Sequence, residues 1–191
     1  MQILNFEPDR AFVRAAKWYV VFVKTFEEYR FAERLQSKLD ADKYVVFVPT
    51  KDRSFRKKDV IKLHSVLLFP GYVFVASTDD PDKCFETLSP IVRNDETAYK
   101  MLGDEESLRC AVVDERDKAL LMRLMNKEFH IAAIEAVDVG DSVVIADGAL
   151  ESLEGRVKKI NKYRQTVDVE FEMFGRMQSV TLALDVVERR V

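Results

Sequence analysis

The residue types most often used in catalysis are few in this chain and are not arranged for it. Its 191 residues include two histidines, His64 and His130, and two cysteines, Cys84 and Cys110. No glycine-rich phosphate loop follows a strand, and neither an HExxH motif nor a nucleophile elbow occurs. The cysteines lack CxxC spacing, so neither a disulfide framework nor a four-ligand zinc site is expected. We therefore predict a protein without enzyme activity, metal or cofactor.

Two basic segments indicate a different kind of chemistry. The 30 Lys and Arg residues against 33 Asp and Glu give a net charge of -3, so any nucleic-acid contact must be local. Six basic residues against two acidic ones lie in 51–62, and five basic residues with no acid lie in 155–164. In the second segment Tyr163 adds a stacking surface to cations that suit RNA phosphates. Basic residues also protect exposed edge strands from aggregation, so the second segment could equally be an edge strand without an RNA partner.

The elements that would position these residues begin with an α/β pattern. Trp18–Val23 is a β-branched and aromatic run typical of a central strand. After it, Phe31, Leu35 and Leu39 recur at near-helical spacing. The pattern further predicts a strand at 44–48, a hairpin or loop at 51–62, a strand at 71–76, a short helix at 81–88, a strand stub at 91–92 and a helix at 114–128. This order predicts an α+β sandwich on the ferredoxin-like plan.

Beyond Phe129 the pattern changes to short alternating strands. After a tether at 131–137, strands are predicted at 142–146, 156–161, 166–173 and 180–184, with Gly or Asn between or beside them. About 50 residues of closely spaced strands suit a small closed barrel, since a sheet of that size would leave its edges unpaired. We predict an N-terminal extension at 1–17, a first domain at 18–127, a linker at 128–138 and a second domain at 139–191.

The apolar runs of the chain bear on its compartment. The longest of them are far shorter than the roughly 20 residues that span a bilayer. The segment Met1–Lys17 carries charged residues where a secretory signal is apolar. We expect a cytoplasmic protein without a membrane segment.

Several motifs occur together in an order that resembles the NusG family. In the first half these are Trp18-Tyr19-Val20, Val48-Pro49 and the phrase Leu68-Phe69-Pro70-Gly71-Tyr72-Val73-Phe74-Val75. In the second half they are Gly140-Asp141, Asp147-Gly148, Glu154-Gly155-Arg156-Val157 and Phe174-Gly175-Arg176. The first group resembles the family's NGN domain, which is ferredoxin-like, and the second its KOW domain, an SH3-like β-barrel. The resemblance covers about residues 18–191.

The resemblance implies a monomeric transcription elongation factor. NGN domains bind RNA polymerase and suppress pausing, and the KOW barrel binds RNA or another protein. The housekeeping form usually has a Gly-Gly turn where this chain has Asn94–Lys100, and the extension 1–17 lies outside the family core. With these departures the chain resembles a specialised paralogue of the LoaP type. Such a paralogue promotes processive antitermination of particular operons and contacts nascent RNA.

Other functions stay open at this point. One is a housekeeping NusG-type factor that links polymerase to the ribosome or to Rho, and another is an RNA-binding adaptor that acts through the barrel alone. A third, a small acyl-phosphate hydrolase, depends only on Arg93-Asn94 and is a weak match.

The resemblance also assigns site residues. Polymerase contacts are expected at Tyr19, Phe22, Phe69, Tyr72, Glu86, Thr87 and Leu88. The charge and spacing of Lys24, Arg30 and Arg34 suit a groove for the non-template DNA strand, and the resemblance places Lys24 and Arg34 on the DNA-facing side. RNA contacts are expected at Arg156, Lys158, Lys159, Lys162, Tyr163 and Arg164, and a protein partner at Phe174 and Arg176. Without the resemblance, the aromatic residues would be assigned to the core and the charged ones to a solvated surface.

Overall fold

A computed structural model describes residues 10–57, 60–104, 109–138, 143–145, 157–173 and 176–188. Its helices are α1 Arg10–Ala15, α2 Glu28–Gln36, α3 Pro81–Arg93 and α4 Glu115–Leu124. The strands of the first two thirds are β1 Lys17–Val23, β2 Tyr44–Phe47, β3 Thr50–Lys57, β4 Val60–Leu67, β5 Tyr72–Ser77, β6 Ala98–Met101, β7 Gly103–Asp104 and β8 Arg109–Cys110. The remaining strands are β9 His130–Ile131, β10 Ile134–Asp138, β11 Val143–Ile145, β12 Val157–Asn161, β13 Thr166–Met173 and β14 Arg176–Glu188.

The N-terminal sheet has the order β2-β5-β1-β6 and is antiparallel throughout. Since β5 lies between β1 and β2, the sheet is a split βαβ arrangement of the ferredoxin-like kind. Helices α2 and α3 cover one face, where Tyr19, Val21 and Val75 are buried with Phe31 and Leu35. The predicted α+β fold class is therefore confirmed.

Local capping explains where α3 begins and why it is longer than predicted. The Asp80 carboxylate caps the helix by accepting from the Asp82 and Lys83 amides at 3.1 and 2.9 Å. Cys84, Leu88 and Val92 continue one buried face at a spacing of four residues, and the helix runs through Pro90. The strand stub predicted at 91–92 is therefore wrong, because Val92 extends the buried face of a helix.

The other face of the sheet packs under α4 and α1. Trp18 lies at its centre, 5.0 Å from the Phe47 ring, and its indole Nε1 donates to the Val13 carbonyl at 2.8 Å. The Arg10 guanidinium donates to the carbonyls of Met122 and Met125, both at 2.7 Å. The end of the predicted extension is thus helix α1 fastened to the last turn of α4.

The C-terminal sheet has the order β11-β10-β14-β13-β12. Val167, Val169 and Leu182 are buried in it and belong to the same core cluster as Trp18. Part of the predicted linker 128–138 is a strand of this sheet, because β10 pairs in parallel with β14 from Ile134 to Asp138. The predicted tether is wrong for these residues, whose period-two pattern buries Ile134 and Ala136 and exposes Glu135.

Strands β3 and β4 form a long antiparallel ribbon, so the basic segment 51–62 is a hairpin rather than a loop. Strand β9 pairs in parallel with the base of β3, at Thr50 and Lys51. There the His130 ring lies 2.9 Å from the Thr50 hydroxyl and 3.1 Å from an Asp52 carboxylate oxygen. One of the two histidines thus joins two strands.

Candidate partner and nucleic-acid surfaces

An apolar cleft of about 960 Å³ lies on the face of the N-terminal sheet opposite α2 and α3. At its centre Phe22 of β1 is in register with Tyr72 of β5 and Lys100 of β6, so the three side chains share one face. The rings of Phe22 and Tyr72 are 5.6 Å apart, between centroids. The cleft is also lined by Leu68, Phe69, Pro70, Leu102, Arg109, Ala111 and Val112.

The turn before β5 places two of the lining aromatic residues. Gly71 has φ of +85°, a conformation that L side chains rarely adopt, and a Cβ there would lie 3.0 Å from the Phe22 ring. The Gly71 amide donates to the carboxylate of Glu28, a residue only 1% exposed, at 2.7 Å. The Tyr72 amide donates to the Phe69 carbonyl at 3.2 Å. Helix α2 therefore holds this turn, and with it Phe69 and Tyr72, from the opposite side of the sheet.

The C-terminal sheet lies at the rim of the same cleft, which Gln178, Ser179 and Val180 of β14 also line. Contacts with the β3–β4 ribbon hold it there. The Lys51 ammonium donates to the Thr181 carbonyl at 2.5 Å, and the Ser54 hydroxyl donates to the Arg164 carbonyl at 2.9 Å. Burial, and to a smaller extent the neighbouring Arg53, lower the pKa of Lys51 to about 8, while the Asp168 carboxylate acts in the opposite direction.

The structure brings together only some of the residues predicted to contact polymerase. Phe22, Phe69 and Tyr72 line the cleft, although Phe69 is only 7% exposed. Tyr19 is buried on the other face, where its hydroxyl donates to the Asp79 carbonyl at 2.7 Å. The prediction of Tyr19 as a polymerase contact is therefore wrong. Successive side chains of a strand alternate between its two faces, and Tyr19 is an odd number of positions away from Phe22.

The predicted segment on α3 is split by the helix periodicity. Glu86 is exposed and Thr87 half-buried, whereas Leu88 is fully buried under the sheet. Leu88 is therefore a core residue, and its prediction as a contact is corrected. The burial follows because Leu88 lies four residues after Cys84 on the apolar face of the helix.

The predicted DNA contacts differ in how many hydrogen bonds and ion pairs they already form within the protein. Lys24 is exposed at the end of β1, and Arg30 lies 3.4 Å from Glu27 on α2. The Arg34 guanidinium instead forms two 2.9 Å hydrogen bonds with Asp95 and a 2.7 Å bond with the Thr97 hydroxyl. These bonds hold the pKa of the Asp95 carboxyl well below its usual range. Arg34 thus joins α2 to the loop before β6.

The predicted RNA contacts lie on β12 and the turn after it. Lys158 and Lys159 are exposed on the strand, and the Lys158 ammonium pairs with Glu170 at 3.0 Å. Lys162, Tyr163 and Arg164 are exposed in the turn that leads to β13. Arg156 and Phe174 lie outside the described residues, and Arg176 is the first residue of β14.

Neither a metal-holding group nor an exposed thiol is present in the described part of the chain. No group of three or more His, Cys, Asp or Glu residues there is placed to hold a metal ion. Cys84 and Cys110 are both buried, and hydrogen bonding with the second thiol together with burial raises the pKa of Cys84. Within the described ranges, no helix is both long and apolar enough to cross a bilayer.

Comparisons with known proteins agree with a split βαβ sheet that precedes a small β unit. The family model described as "Transcription termination factor nusG" matches residues 16–121. Because this segment is more than half of the chain, the chain belongs to the NusG family. It is a transcription termination/antitermination factor of that family, whose members interact with RNA polymerase.

Individual relatives extend the likeness beyond the first domain. "Transcription termination/antitermination protein NusG" of Halalkalibacterium halodurans is 25% identical over 179 residues, which are 90% of this chain and 97% of that relative. The protein of the same name from Liberibacter asiaticus is 39% identical over 54 residues, 28% of this chain and 77% of that relative. The solved structure "Domain interaction in Thermotoga maritima NusG" covers 90% of this chain and 96% of its own, with a TM-score of 0.50 and 22% identity. That structural likeness supports the predicted NGN plus KOW fold.

Sequence reasoning did not find several residues of the cleft. Lys100, Leu102 and Arg109 reach it from β6, β8 and the segment between strands. Lys100 lies in β6, a strand of four residues that was not predicted from the sequence. Arg109 had no usable signal, because β7 and β8 are only two residues long and show no periodicity.

Proposed function

We propose that this chain binds RNA polymerase through the cleft at Phe22, Phe69 and Tyr72 and promotes processive antitermination of particular operons, in the manner of a LoaP-type paralogue. The observation that supports this most is the apolar cleft of about 960 Å³ beside a turn held from behind by Glu28. Rigid aromatic side chains around a concave apolar surface are the usual anchor of a protein interface. A helical element of polymerase is the occupant we propose.

The mechanism requires no bond chemistry. A factor that binds the actively elongating state of polymerase more tightly than the paused state shifts the equilibrium between them by its differential affinity. Glu86 and Thr87, on α3 at the other side of the sheet, contact a second polymerase element in this proposal. Because β14 lines the rim of the cleft, the C-terminal sheet has to move aside when polymerase binds.

We assign nascent RNA to the C-terminal unit and the non-template DNA strand to the α2 side. Lys159, Lys162, Tyr163 and Arg164 combine cations with an aromatic side chain on one exposed strand and turn. Lys24 and Arg30 are the preferred DNA contacts. Arg34 is left with a structural role, since two hydrogen bonds already join it to Asp95. We place this activity in the cytoplasm.

Terminator read-through by purified polymerase, with and without the full chain, tests the proposal. We expect more full-length transcript with the wild-type protein, and a loss of at least fivefold in polymerase affinity for Tyr72→Ala, as for an interface anchor. Tyr29→Ala is the matched control, because Tyr29 is 44% exposed and lies on α2, on the other side of the sheet. Unchanged read-through at concentrations that saturate polymerase would refute the proposal.

An RNA-binding adaptor that acts through the C-terminal unit alone is the second candidate, favoured by the exposed basic strand. In that case Lys159→Ala should lower the affinity for RNA and reduce the slope of log affinity against log salt concentration by about one. Lys158→Ala should have a weaker effect, since Lys158 is already paired with Glu170. Both candidates predict this result. Wild-type binding to RNA with no measurable binding to polymerase would favour the adaptor.

A further inference from the structure

The two cysteines of the chain lie beside each other in the fold, although 26 positions separate them in the sequence. Cys84 is on α3 and Cys110 ends β8, and both belong to the buried cluster on the face of the N-terminal sheet that α2 and α3 cover. Their thiols are hydrogen-bonded to each other. The sequence has no CxxC spacing, so only the tertiary structure reveals this pair of thiols.

Contacts around the pair hold the two elements in place. The Arg109 guanidinium, one residue before Cys110, forms a 2.7 Å ion pair with the Asp82 carboxylate in the first turn of α3. Cys110 is in register with Gly103 of β7, where a Cβ would lie only 3.0 Å from the Cys110 Cα. The backbone of β8 is thus fixed from two directions. A bond between the sulfur atoms then needs mainly rotation of the two side chains.

The two thiols differ in their access to solvent. Cys84 is fully buried, whereas Cys110 is 4% exposed and lines the apolar cleft. The hydrogen bond with Cys110, burial and the carboxylates of Asp79 and Asp80 raise the pKa of the Cys84 thiol. A small oxidant that enters the cleft therefore meets Cys110 first, with the protonated Cys84 thiol behind it. Redox-sensing cysteines are often paired in this way with a second, resolving cysteine.

We propose that Cys84 and Cys110 are a site of reversible oxidation, at which hydrogen peroxide converts the two thiols into a disulfide. The Cys110 sulfur attacks one peroxide oxygen, the O–O bond breaks, and the thiol proton leaves with the departing hydroxide as water. The Cys84 sulfur then attacks the resulting sulfenic acid, the S–O bond breaks, and a second water is released. The two thiols thus lose two electrons and two protons, which reduce one peroxide molecule to two waters.

The contact between the sulfur atoms favours a disulfide over other fates of the pair. A sulfenic acid beside a second thiol condenses to a disulfide, which prevents further oxidation to the irreversible sulfinic acid. A zinc site needs more than two protein ligands, and no group of three His, Cys, Asp or Glu residues in the described ranges is placed to hold an ion. Thiol reductants return the disulfide to two thiols by exchange, so the modification is reversible in a reducing compartment.

The disulfide joins α3 to one wall of the apolar cleft, because Arg109, Ala111 and Val112, which flank Cys110, line that wall. In the reduced protein the Arg109–Asp82 ion pair between these elements is exposed and contributes little. The new bond closes a loop from 84 to 110 and restricts the unfolded chain. We expect the oxidised protein to unfold at a temperature higher by roughly 5 °C. Neither the site nor this effect depends on polymerase binding.

The test is mass spectrometry of the full chain after treatment with hydrogen peroxide. Remaining thiols are blocked with iodoacetamide in denaturant, and the protein is digested without reduction. We expect one peptide pair linked through Cys84 and Cys110, lighter than the two reduced peptides by two hydrogen atoms, and we expect dithiothreitol to separate it. Because Cys110 is nearly buried, its oxidation should be slower than that of an exposed thiol.

Two serine variants separate the roles of the thiols. In Cys84→Ser no resolving thiol is present, so dimedone should trap Cys110 as a sulfenic acid, and longer treatment should give the sulfinic acid. In Cys110→Ser the buried Cys84 should stay reduced, with less dimedone label by a factor of roughly five or more. Circular dichroism checks that both variants fold, and the wild-type measurement decides the matter even if they do not.

Three outcomes would overturn the proposal. The first is complete alkylation of both wild-type cysteines after a peroxide treatment that oxidises them in urea. The second is a sulfinic acid at Cys110 of the wild-type chain without any linked peptide. The third is equal dimedone labelling of the two variants when both are folded, since access through the cleft would then not select Cys110.

Discussion

The buried carboxylate of Glu28, in the first turn of α2, accepts a 2.7 Å hydrogen bond from the backbone amide of Gly71. The two residues are 43 positions apart, and the bond crosses from the helix layer to the turn that precedes β5. It satisfies a buried amide and fixes the turn whose neighbours, Phe69 and Tyr72, line the apolar cleft. Glu28 belongs to none of the family motifs, yet it supports Phe69 and Tyr72, which do belong to one.

Replacing Glu28 should loosen this turn. We expect Glu28→Ala to lower the free energy of unfolding by about 2 kcal/mol, because the Gly71 amide would be left buried without an acceptor. Glu28→Gln retains an oxygen and should cost less. Urea denaturation measures the loss, and hydrogen exchange of the Gly71 amide should become faster. Glu33→Ala, at an exposed site on the same helix, is the control, and an equal effect there would contradict the assignment.

Lys51 should make stability rise with pH in the alkaline range. Its pKa is about 8 in the folded chain against an ordinary value of 10.5. Between these values the unfolded chain holds a proton that the folded chain has released, so the free energy of unfolding increases with pH. Below pH 8 both states are protonated, and the folded chain bears the full cost of a partly buried charge.

The measurement compares wild type with Lys51→Met, in which this titration is absent. We expect the stability difference to shift in favour of wild type by about 1 kcal/mol between pH 7.5 and 10, a value reduced for the partial exposure of Lys51. Other titrating groups cancel in the difference. A difference that stays constant with pH, or shifts toward the variant, would contradict the prediction.

Asp95 should give the opposite behaviour at acid pH. Its pKa is lowered in the folded chain by hydrogen bonds with Arg34 and Thr97, so its stabilisation is present above about pH 4 and is lost as the pH falls. We expect Asp95→Asn to cost about 1 to 2 kcal/mol at pH 7 and progressively less toward pH 2. Asp40→Asn, at an exposed carboxylate 3.9 Å from Lys43, should cost little at any pH.

The same pair predicts how Arg34 responds to mutation. Since its guanidinium is bonded to Asp95, Arg34→Ala should lower thermal stability and leave affinity for single-stranded DNA nearly unchanged. Lys24→Ala should do the reverse, because Lys24 is exposed and contributes through its charge. Denaturation and DNA titration of both variants separate the two roles, and a large loss of DNA affinity in a stable Arg34→Ala protein would contradict this division.

Phe26 carries a backbone strain that a glycine should relieve. Its φ is +75° while its side chain is 90% exposed, so the ring contributes little packing in return. We expect Phe26→Gly to raise the free energy of unfolding by about 0.5 to 1 kcal/mol. Phe26→Ala removes the same ring but keeps the Cβ, and should change stability little. Equal urea midpoints for the two variants would show that backbone strain is not the cause.

Local patterns in the sequence were sufficient for the fold class, the positions of most elements and the family. A continuous β-branched and aromatic run predicted β1, and periodicity predicted α2 and β13, because these features depend on neighbours along the chain. In the structure α3 continues past Pro90, and part of the predicted linker is strand β10. Both changes arise from burial against distant residues.

Tertiary structure alone decided which candidate side chains are available. Tyr19 and Phe22 look alike in the sequence, but strand alternation buries the first under α2 and α3 and turns the second into the cleft. Lys24 and Arg34 are both basic, yet only Arg34 meets Asp95, 61 residues away. Composition and motif are properties of the chain, whereas exposure and pairing depend on contacts between segments that only folding brings together.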